Sequence, residues 1–242
     1  MMLITDAHVN TAAGTHRPFF RMLDALGKTS EDIVFMGDIF DLWIALPGYE
    51  EAAHTRFLSW CREQKAGRKI GYIEGNHEFF LAEEKADAFS WATARAVLAD
   101  GRGNLFCHGD CINRRDRNYL RFRELTKNRA VKQILRILPS GPFWAETIKK
   151  KLRHTNQAFR SALPREEILR FLSAARALGL KRIFVGHFHQ EVFFRCGDTH
   201  LHILPDWMTT RRITRFNRRT GQVSHFRWEA LDRHPPLPRK MG

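Results

Sequence analysis

Five short apolar runs in this chain each stop at a turn carrying aspartate, asparagine or histidine, and that coincidence constrains the fold more than any other feature. The central one is Ile33 to Trp43, IVFMGDIFDLW. Ile33 to Met36 reads as a buried strand, Gly37 breaks it, and Asp38 falls where the strand opens into a loop. Just past the carboxyl end of a buried parallel strand is where open α/β sheets place their chemistry. The other runs are Leu3-Ile4-Thr5 into Asp6-Ala7-His8, Lys69 to Ile73 into Gly75-Asn76-His77-Glu78, Gly103 to Cys107 into His108-Gly109-Asp110, and Arg182 to Val185 into Gly186-His187-Phe188-His189. In extended backbone residues i and i+2 face one side, so Asp6 and His8 can reach one ion together. Each turn alone is common, but the ordered set points to a metal centre.

Between these runs the spacing of apolar residues predicts helices over His16 to Leu26, Tyr49 to Gln64, Ala86 to Ala99 (with Trp91, Ala94 and Leu98 on one face) and from Pro164 to Ala177. Strands alternating with helices make this an α/β protein. Later strands are expected at Val192 to Arg195, Leu201 to Leu204, Arg212 to Phe216 and Val223 to Trp228, the last two joined by a turn at Thr220-Gly221. The pattern changes from Asn113 to about Pro164, which is helical, basic and rich in large apolar residues such as Tyr119, Phe122, Phe143 and Trp144. It reads as a cap inserted into a single domain spanning residues 1–242, and His234 to Gly242 reads as a loose tail beginning near residue 233.

The chain has 40 Lys and Arg against 26 Asp and Glu, and 14 basic against 3 acidic residues fall between Arg114 and Arg160. Such a block attracts nucleic acid, anionic lipid or a phosphorylated substrate, or is a solvated surface. No apolar run approaches the roughly 20 residues that cross a bilayer. Met1 to Val9 enters a strand directly, so no signal peptide is expected there, and the four cysteines make no C-x-x-C pair and are expected to be reduced thiols in the cytoplasm.

Carboxylate, imidazole and carboxamide donors suit Mn²⁺, Fe²⁺ or Zn²⁺. Asp6, His8, Asp38, Asn76, His108, His187 and His189 are too many for one ion and fit two if Asp38 bridges. Two ions about 3.5–4 Å apart clamp both oxygens of an in-line displacement at phosphorus. The ordered set resembles the calcineurin-like metallophosphoesterases, from Asp6 to His189. That resemblance implies a four-layer α-β-β-α sandwich carrying the inserted helical cap. By motif, Asp6, His8, Asp38 and His189 would hold one metal ion, and Asp38, Asn76, His108 and His187 the other. His77 would protonate the leaving oxygen or stabilise charge at phosphorus. Manganese is the expected metal.

After His108-Gly109-Asp110 the chain continues Asp116-x-x-Tyr119-x-x-Phe122-Arg123 and then the cap, which looks like the UDP-2,3-diacylglucosamine hydrolases of lipid A synthesis. That subgroup implies pyrophosphate cleavage to UMP and 2,3-diacylglucosamine 1-phosphate by a peripheral protein on the cytoplasmic face of the inner membrane. Asn76, His77, Asp116, Tyr119, Phe122, Arg123, Asn156 and Arg160 would contact the substrate, the basic cap would meet anionic lipid, and no dedicated protein partner is implied. The chain departs from the subgroup's G-N-R-D pattern with Gly75-Asn76-His77-Glu78. The rival reading is a phosphodiesterase or phosphatase for a soluble nucleotide, nucleic acid or another phosphoester. Aliphatic residues interleave the basic segment, with few aromatics spaced for base stacking, which argues against nucleic acid.

The remaining polar candidates have plainer readings. His16, His54, His154, His225 and His234 are expected at the surface, and His200 and His202 as structural residues of a strand. Asp41 and Asp110 are expected to form loops around the site, and Cys107 to be a small buried residue.

Overall fold

The computed structural model describes residues 1–138 and 163–233. In chain order the elements are β1 (Met2–Ile4), α1 (His16–Gly27), β2 (Ile33–Phe35), β3 (Trp43–Ile44), α2 (Ala52–Gln64), β4 (Ile70–Ile73), β5 (Glu78–Phe79), α3 (Leu81–Glu84), β6 (Trp91–Thr93), β7 (Leu98–Ala99) and β8 (Asn104–Cys107). They continue with α4 (Arg117–Thr126), α5 (Arg129–Ile137), α6 (Arg165–Ala177), β9 (Arg182–Val185), β10 (Val192–Cys196), β11 (Thr199–Ile203), α7 (Trp207–Thr210), β12 (Arg212–Phe216) and β13 (Val223–Arg227).

A six-stranded sheet runs β13-β12-β1-β2-β4-β6 and a five-stranded sheet runs β10-β11-β9-β8-β7. β1, β2, β4 and β6 are mutually parallel, as are β8, β9 and β11. The apolar runs are continuous because every central strand is buried on both faces. In β1 and β2, Met2, Ile4, Ile33 and Phe35 face outward against α1 and α2, and Leu3, Val34 and Met36 face inward. In β8 and β9, Leu105, Cys107, Ile183 and Val185 pack against α6, whereas Phe106 and Phe184 stack between the sheets at 5.2 Å. The order helix, sheet, sheet, helix is the expected four-layer α-β-β-α sandwich.

The helix expected over Ala86 to Ala99 does not form. A short 3-10 turn, Ala86–Ala88, is followed by β6 and β7. Trp91 sits beside Gly71 in the ladder and its ring fills the space over that glycine, where a Cβ would come within 2.1 Å of it. Packing a half-buried indole against the apolar layer between the sheets outweighs a weak local helical preference. His54 is also not a surface residue: it is buried against Phe40 and Trp43, and its Nδ1 accepts from the Glu51 N–H in a capping box at the start of α2. His225 is half-buried, with Nδ1 2.8 Å from Thr214 Oγ1. His154 and His234 lie outside the described residues.

The described part of the segment 113–164 contains α4 and α5, capped by Asp116 and Asn128, whose side chains accept from the Tyr119 and Val131 N–H. Phe122, Val131, Leu135 and Leu138 pack on Ile44, Leu46, Phe79 and Phe80, around the two-stranded β3-β5 sheet. Phe143, Trp144, Asn156, Arg160 and the tail from His234 lie outside the described residues. No helix among the described residues is long and apolar enough to cross a membrane.

Candidate active site

The carboxyl ends of β1, β2, β4, β8 and β9 converge at one edge of the sandwich. Seven non-glycine residues among those described have positive φ, and five belong to the set expected to hold metal: Asp6 (51°), His8 (42°), Asp38 (54°), His187 (71°) and His189 (50°). A non-glycine residue there costs roughly 1–3 kcal/mol and persists only where its surroundings over-determine it, which is a mark of functional sites. Two glycines allow the close approach. A Cβ on Gly75 would lie 2.3 Å from Asp38 Oδ1, and one on Gly186 would lie 2.1 Å from Thr5 Oγ1.

Each aspartate divides its oxygens. Asp6 Oδ2 accepts from Thr5 Oγ1 at 2.6 Å and the His187 N–H at 2.8 Å. Its buried Oδ1 has no hydrogen-bond partner and lies 4.0 Å from His8 Nε2 and 3.7 Å from His189 Nε2. Asp38 Oδ1 accepts from the His77 N–H at 2.9 Å. Asp38 Oδ2 faces Nε2 of His8 at 3.8 Å, of His77 at 3.8 Å and of His108 at 3.4 Å. Donors sharing one ion at bonds of about 2.1 Å stand roughly 3–4 Å apart. Asp6, His8 and His189 form one candidate group, with donor atoms all within 4.8 Å of one another, and Asp38, His108 and His187 form another. His8, Asp38 and His77 form a third between them. Asn76 Oδ1 joins the second, 3.0 Å from His108 Nε2, and Asp38 touches both neighbouring groups.

The electrostatics fit cations. His108 Nδ1 donates to the Met36 carbonyl at 2.9 Å, which turns Nε2 to the centre. Burial would lower the His108 pKa, but Asp38 raises it to about 10. Burial alone would raise Asp38, yet His108 and His77 hold it well below the usual carboxylate range. His8 is pushed down to about 3 and His187 to about 4, by burial and then by neighbouring histidines. The orphaned Asp6 Oδ1 and His8 Nε2 and the absence of thiolates make this a pocket for hard or borderline divalent ions.

Several supports were not evident in the sequence. Glu78 is fully buried: Oε2 accepts from the N–H of Asp38 (2.9 Å) and Gly75 (2.7 Å), and Oε1 accepts from the Ile39 N–H and Tyr72 hydroxyl (both 2.9 Å). It ties the Asp38 loop to the Asn76 loop. Thr5 holds Asp6, and Asp206, 3.9 Å from His189 Nδ1, is fixed by the Thr209 N–H and hydroxyl. Asp206 lies three residues past the end of β11, after Leu204 and Pro205, and a carboxylate just beyond a strand end is the one signal that could have found it. His77 Nδ1 donates to the Asp41 carbonyl, and Asn10 Nδ2 donates to the Asp41 carboxylate at 2.8 Å, so Asp41 shapes its loop as expected.

Of the residues expected to contact substrate, Asn76 and His77 lie in the centre. Asp116 caps α4. Tyr119 Oη and Arg123 Nε both donate to Asp110 Oδ2, at 2.6 and 2.7 Å. Phe122 belongs to the apolar contact under α4. His200 and His202 alternate on β11, where His202 stacks on Phe184, away from the centre.

The chain is 26% identical over 171 residues to UDP-2,3-diacylglucosamine hydrolase from Ralstonia nicotianae, covering 66% of this chain and 61% of that protein. It is 29% identical over 170 residues to the hydrolase of that name from Pseudomonas fluorescens, covering 65% and 64%. The chain therefore spans less than two thirds of the length of these two relatives. To the Pseudomonas syringae pv. syringae protein of the same name it is 25% identical over 226 residues, covering 86% and 88%. The solved structure of an archaeal phosphodiesterase aligns over 93% of this chain and 97% of that one, at 12% identity and a TM-score of 0.45. Residues 1–191, a span that includes all five strand-end turns, match the calcineurin-like phosphoesterase family, and this chain belongs to that family of metal-dependent phosphoester hydrolases.

Proposed function

We propose that this chain hydrolyses the pyrophosphate of UDP-2,3-diacylglucosamine to UMP and 2,3-diacylglucosamine 1-phosphate. In this reading Asp6, His8, Asp38 and His189 hold one manganese ion, and Asp38, Asn76, His108 and His187 hold a second. Divalent ions there supply Lewis acidity and lower the pKa of water. Asp38 orients both groups through Oδ2 while Oδ1 is occupied by the His77 N–H. His77, its Nδ1 committed to a carbonyl, turns Nε2 to the centre, 3.8 Å from Asp38 Oδ2, where it can hand a proton to the leaving oxygen. Tyr119 and Arg123 serve the substrate by fixing the loop after His108.

The observation that carries this reading is the apolar surface of α4 and α5 beside a polar floor. Leu125, Ile134 and Ile137 are 65%, 52% and 81% exposed, on helices that also carry Arg117, Arg121, Arg129 and Arg136. A diacylated sugar nucleotide needs such a pairing, and an apolar face with basic neighbours suits peripheral contact with anionic membrane on the cytoplasmic side. The relatives' names support the same substrate. A second reading, a phosphodiesterase for a soluble nucleotide or other phosphoester, is favoured by His77-Glu78 in place of the subgroup's Arg-Asp.

The test is UDP-2,3-diacylglucosamine with manganese in ¹⁸O water. Label is expected in UMP, because attack at the phosphorus nearer uridine leaves a lipid phosphate. Ile134→Gln with Ile137→Gln should weaken this substrate far more than a small aryl diester. If the lipid is not cleaved while nucleotide diesters are, the second reading replaces the first.

A further inference from the structure

Helix α4 reaches the metal loops by an unexpected route. Tyr119, Arg123 and Lys127, spaced four residues apart, lie on one face, and each donates to a loop that carries a ligand of the second group. Tyr119 and Arg123 hold the carboxylate of Asp110, two residues past His108. Lys127 Nζ donates to the Gly75 carbonyl at 2.6 Å, the oxygen of the peptide leading into Asn76, and lies 3.5 Å from Glu74. Arg123 and Lys127 are largely buried, and so are both carboxylates. Gly109, between Asp110 and His108, is closely packed: its φ is 118°, and a Cβ there would come within 2.7 Å of Val185 and 3.3 Å of His187. That packing leaves little room to absorb a shift of Asp110 before it reaches His108. The first group has side-chain supports of its own, Thr5 on Asp6 and Asp206 beside His189, although Asp6 also accepts from the backbone N–H of the second group's His187.

We propose that Arg123 and Lys127 are positioning residues for the second metal ion, setting His108 through Asp110 and Asn76 through the Gly75 peptide. Cap and metal centre are then one linked unit: α4 fixes the pocket that must hold two phosphates and also presents apolar surface to the rest of the substrate. By linkage, whatever orders α4 tightens the second ion, and the second ion orders α4. Outer partners of this kind are worth roughly 10–100-fold in metal affinity.

This inference rests on the two-ion reading, and one experiment separates them. Metal-free full-length protein is titrated with Mn²⁺ alone, without substrate, and free Mn²⁺ is read by electron paramagnetic resonance. Wild type should bind two ions per chain; fewer than two refutes the two-ion reading and this inference with it, before any variant is made. Arg123→Met and Lys127→Met should each weaken the second ion about tenfold or more, and leave the first ion's affinity within twofold, which also reports that the chain has folded. Lys127→Arg, which can still donate to Gly75, should recover most of the loss. Arg121→Met removes the same charge from an exposed position on the same helix and should change neither ion. Two ions bound at wild-type affinity in both methionine variants, or both ions weakened equally, would overturn the proposal.

Discussion

Replacing Glu78 tests whether one buried carboxylate holds the two central loops together. Its oxygens accept from three backbone N–H groups and one tyrosine hydroxyl, all at 2.7–2.9 Å. Glu78→Gln keeps the shape but turns one acceptor into a donor. Its oxygen should stay with Asp38 and Gly75, and its amide group should face Ile39 and Tyr72. Tyr72 can rotate its hydroxyl to accept, so one buried N–H, that of Ile39, is left unsatisfied at about 1–3 kcal/mol. Burial, and then the neighbouring Asp38, push the Glu78 pKa up to about 7 even with the bonds from Asp38 and Gly75 in place, so removing the charge adds no net loss. The net expectation is the unsatisfied Ile39 N–H, a loss of about 1–3 kcal/mol, or roughly 3–10 °C in Tm for a chain of this size. Glu78→Ala leaves four donors without an acceptor and should lose more, about 4 kcal/mol or above. Tyr72→Phe removes one bond and should lose about 1 kcal/mol. Urea unfolding of the chelated proteins measures all three. If both Glu78 variants lie within about 0.5 kcal/mol of wild type, the scatter of an ordinary surface substitution, Glu78 does not tie the loops.

Three further outcomes follow from the same geometry. Asp38→Asn should lose at least one manganese ion by metal analysis and nearly all turnover, while His225→Ala loses neither; two ions and normal activity in the aspartate variant would end the bridging assignment. His77→Ala should keep both ions and lose roughly 10²-fold in kcat, and unchanged turnover would leave the ring only a prop for Asn76. In metal-free protein, His108 is raised from its ordinary 6.5 to about 10 and Glu78 from 4.5 to about 7. A raised folded value stabilises fully below the unfolded one and is lost as pH rises through the folded one. Urea stability of the chelated protein should therefore fall between pH 6.5 and 10 through His108, whereas between pH 4.5 and 6.5 the fall through Glu78 is opposed by His8 and His187, whose lowered values make stability rise there. A profile that rises across the upper window, or is the same in His108→Gln, would contradict the His108–Asp38 pairing.

The centre was legible in the sequence because its signals are local. A doubly buried strand needs a continuous apolar run, a glycine marks the end of three of the five (Gly37, Gly75 and Gly186), and the candidate ligand follows the run directly. Asp6, His8, Asp38, Asn76, His108, His187 and His189 could each be read without knowing the neighbours. α1, α2 and α6 were legible for a similar reason, since an amphipathic helix repeats its pattern over several turns.

What only the tertiary structure decided depends on partners distant in the chain. Asp6 is fixed by the N–H of His187, 181 residues away, and Asp38 by a carboxylate 40 residues on. Residues 86–99 have helical spacing, yet the hollow over Gly71 takes the Trp91 ring and makes a strand of it. His54 looks like any polar helix residue until Phe40 and Trp43 close over it. In the sequence Arg123 reads as a substrate contact and Lys127 as part of the basic block, and the structure turns them onto Asp110 and Gly75. Strand ends and ligand types follow from local sterics and hydropathy. The spacing between ligands, the carboxylate oxygen each leaves free and the loop each basic side chain holds follow from how two sheets and a cap meet, and no stretch of sequence carries that alone.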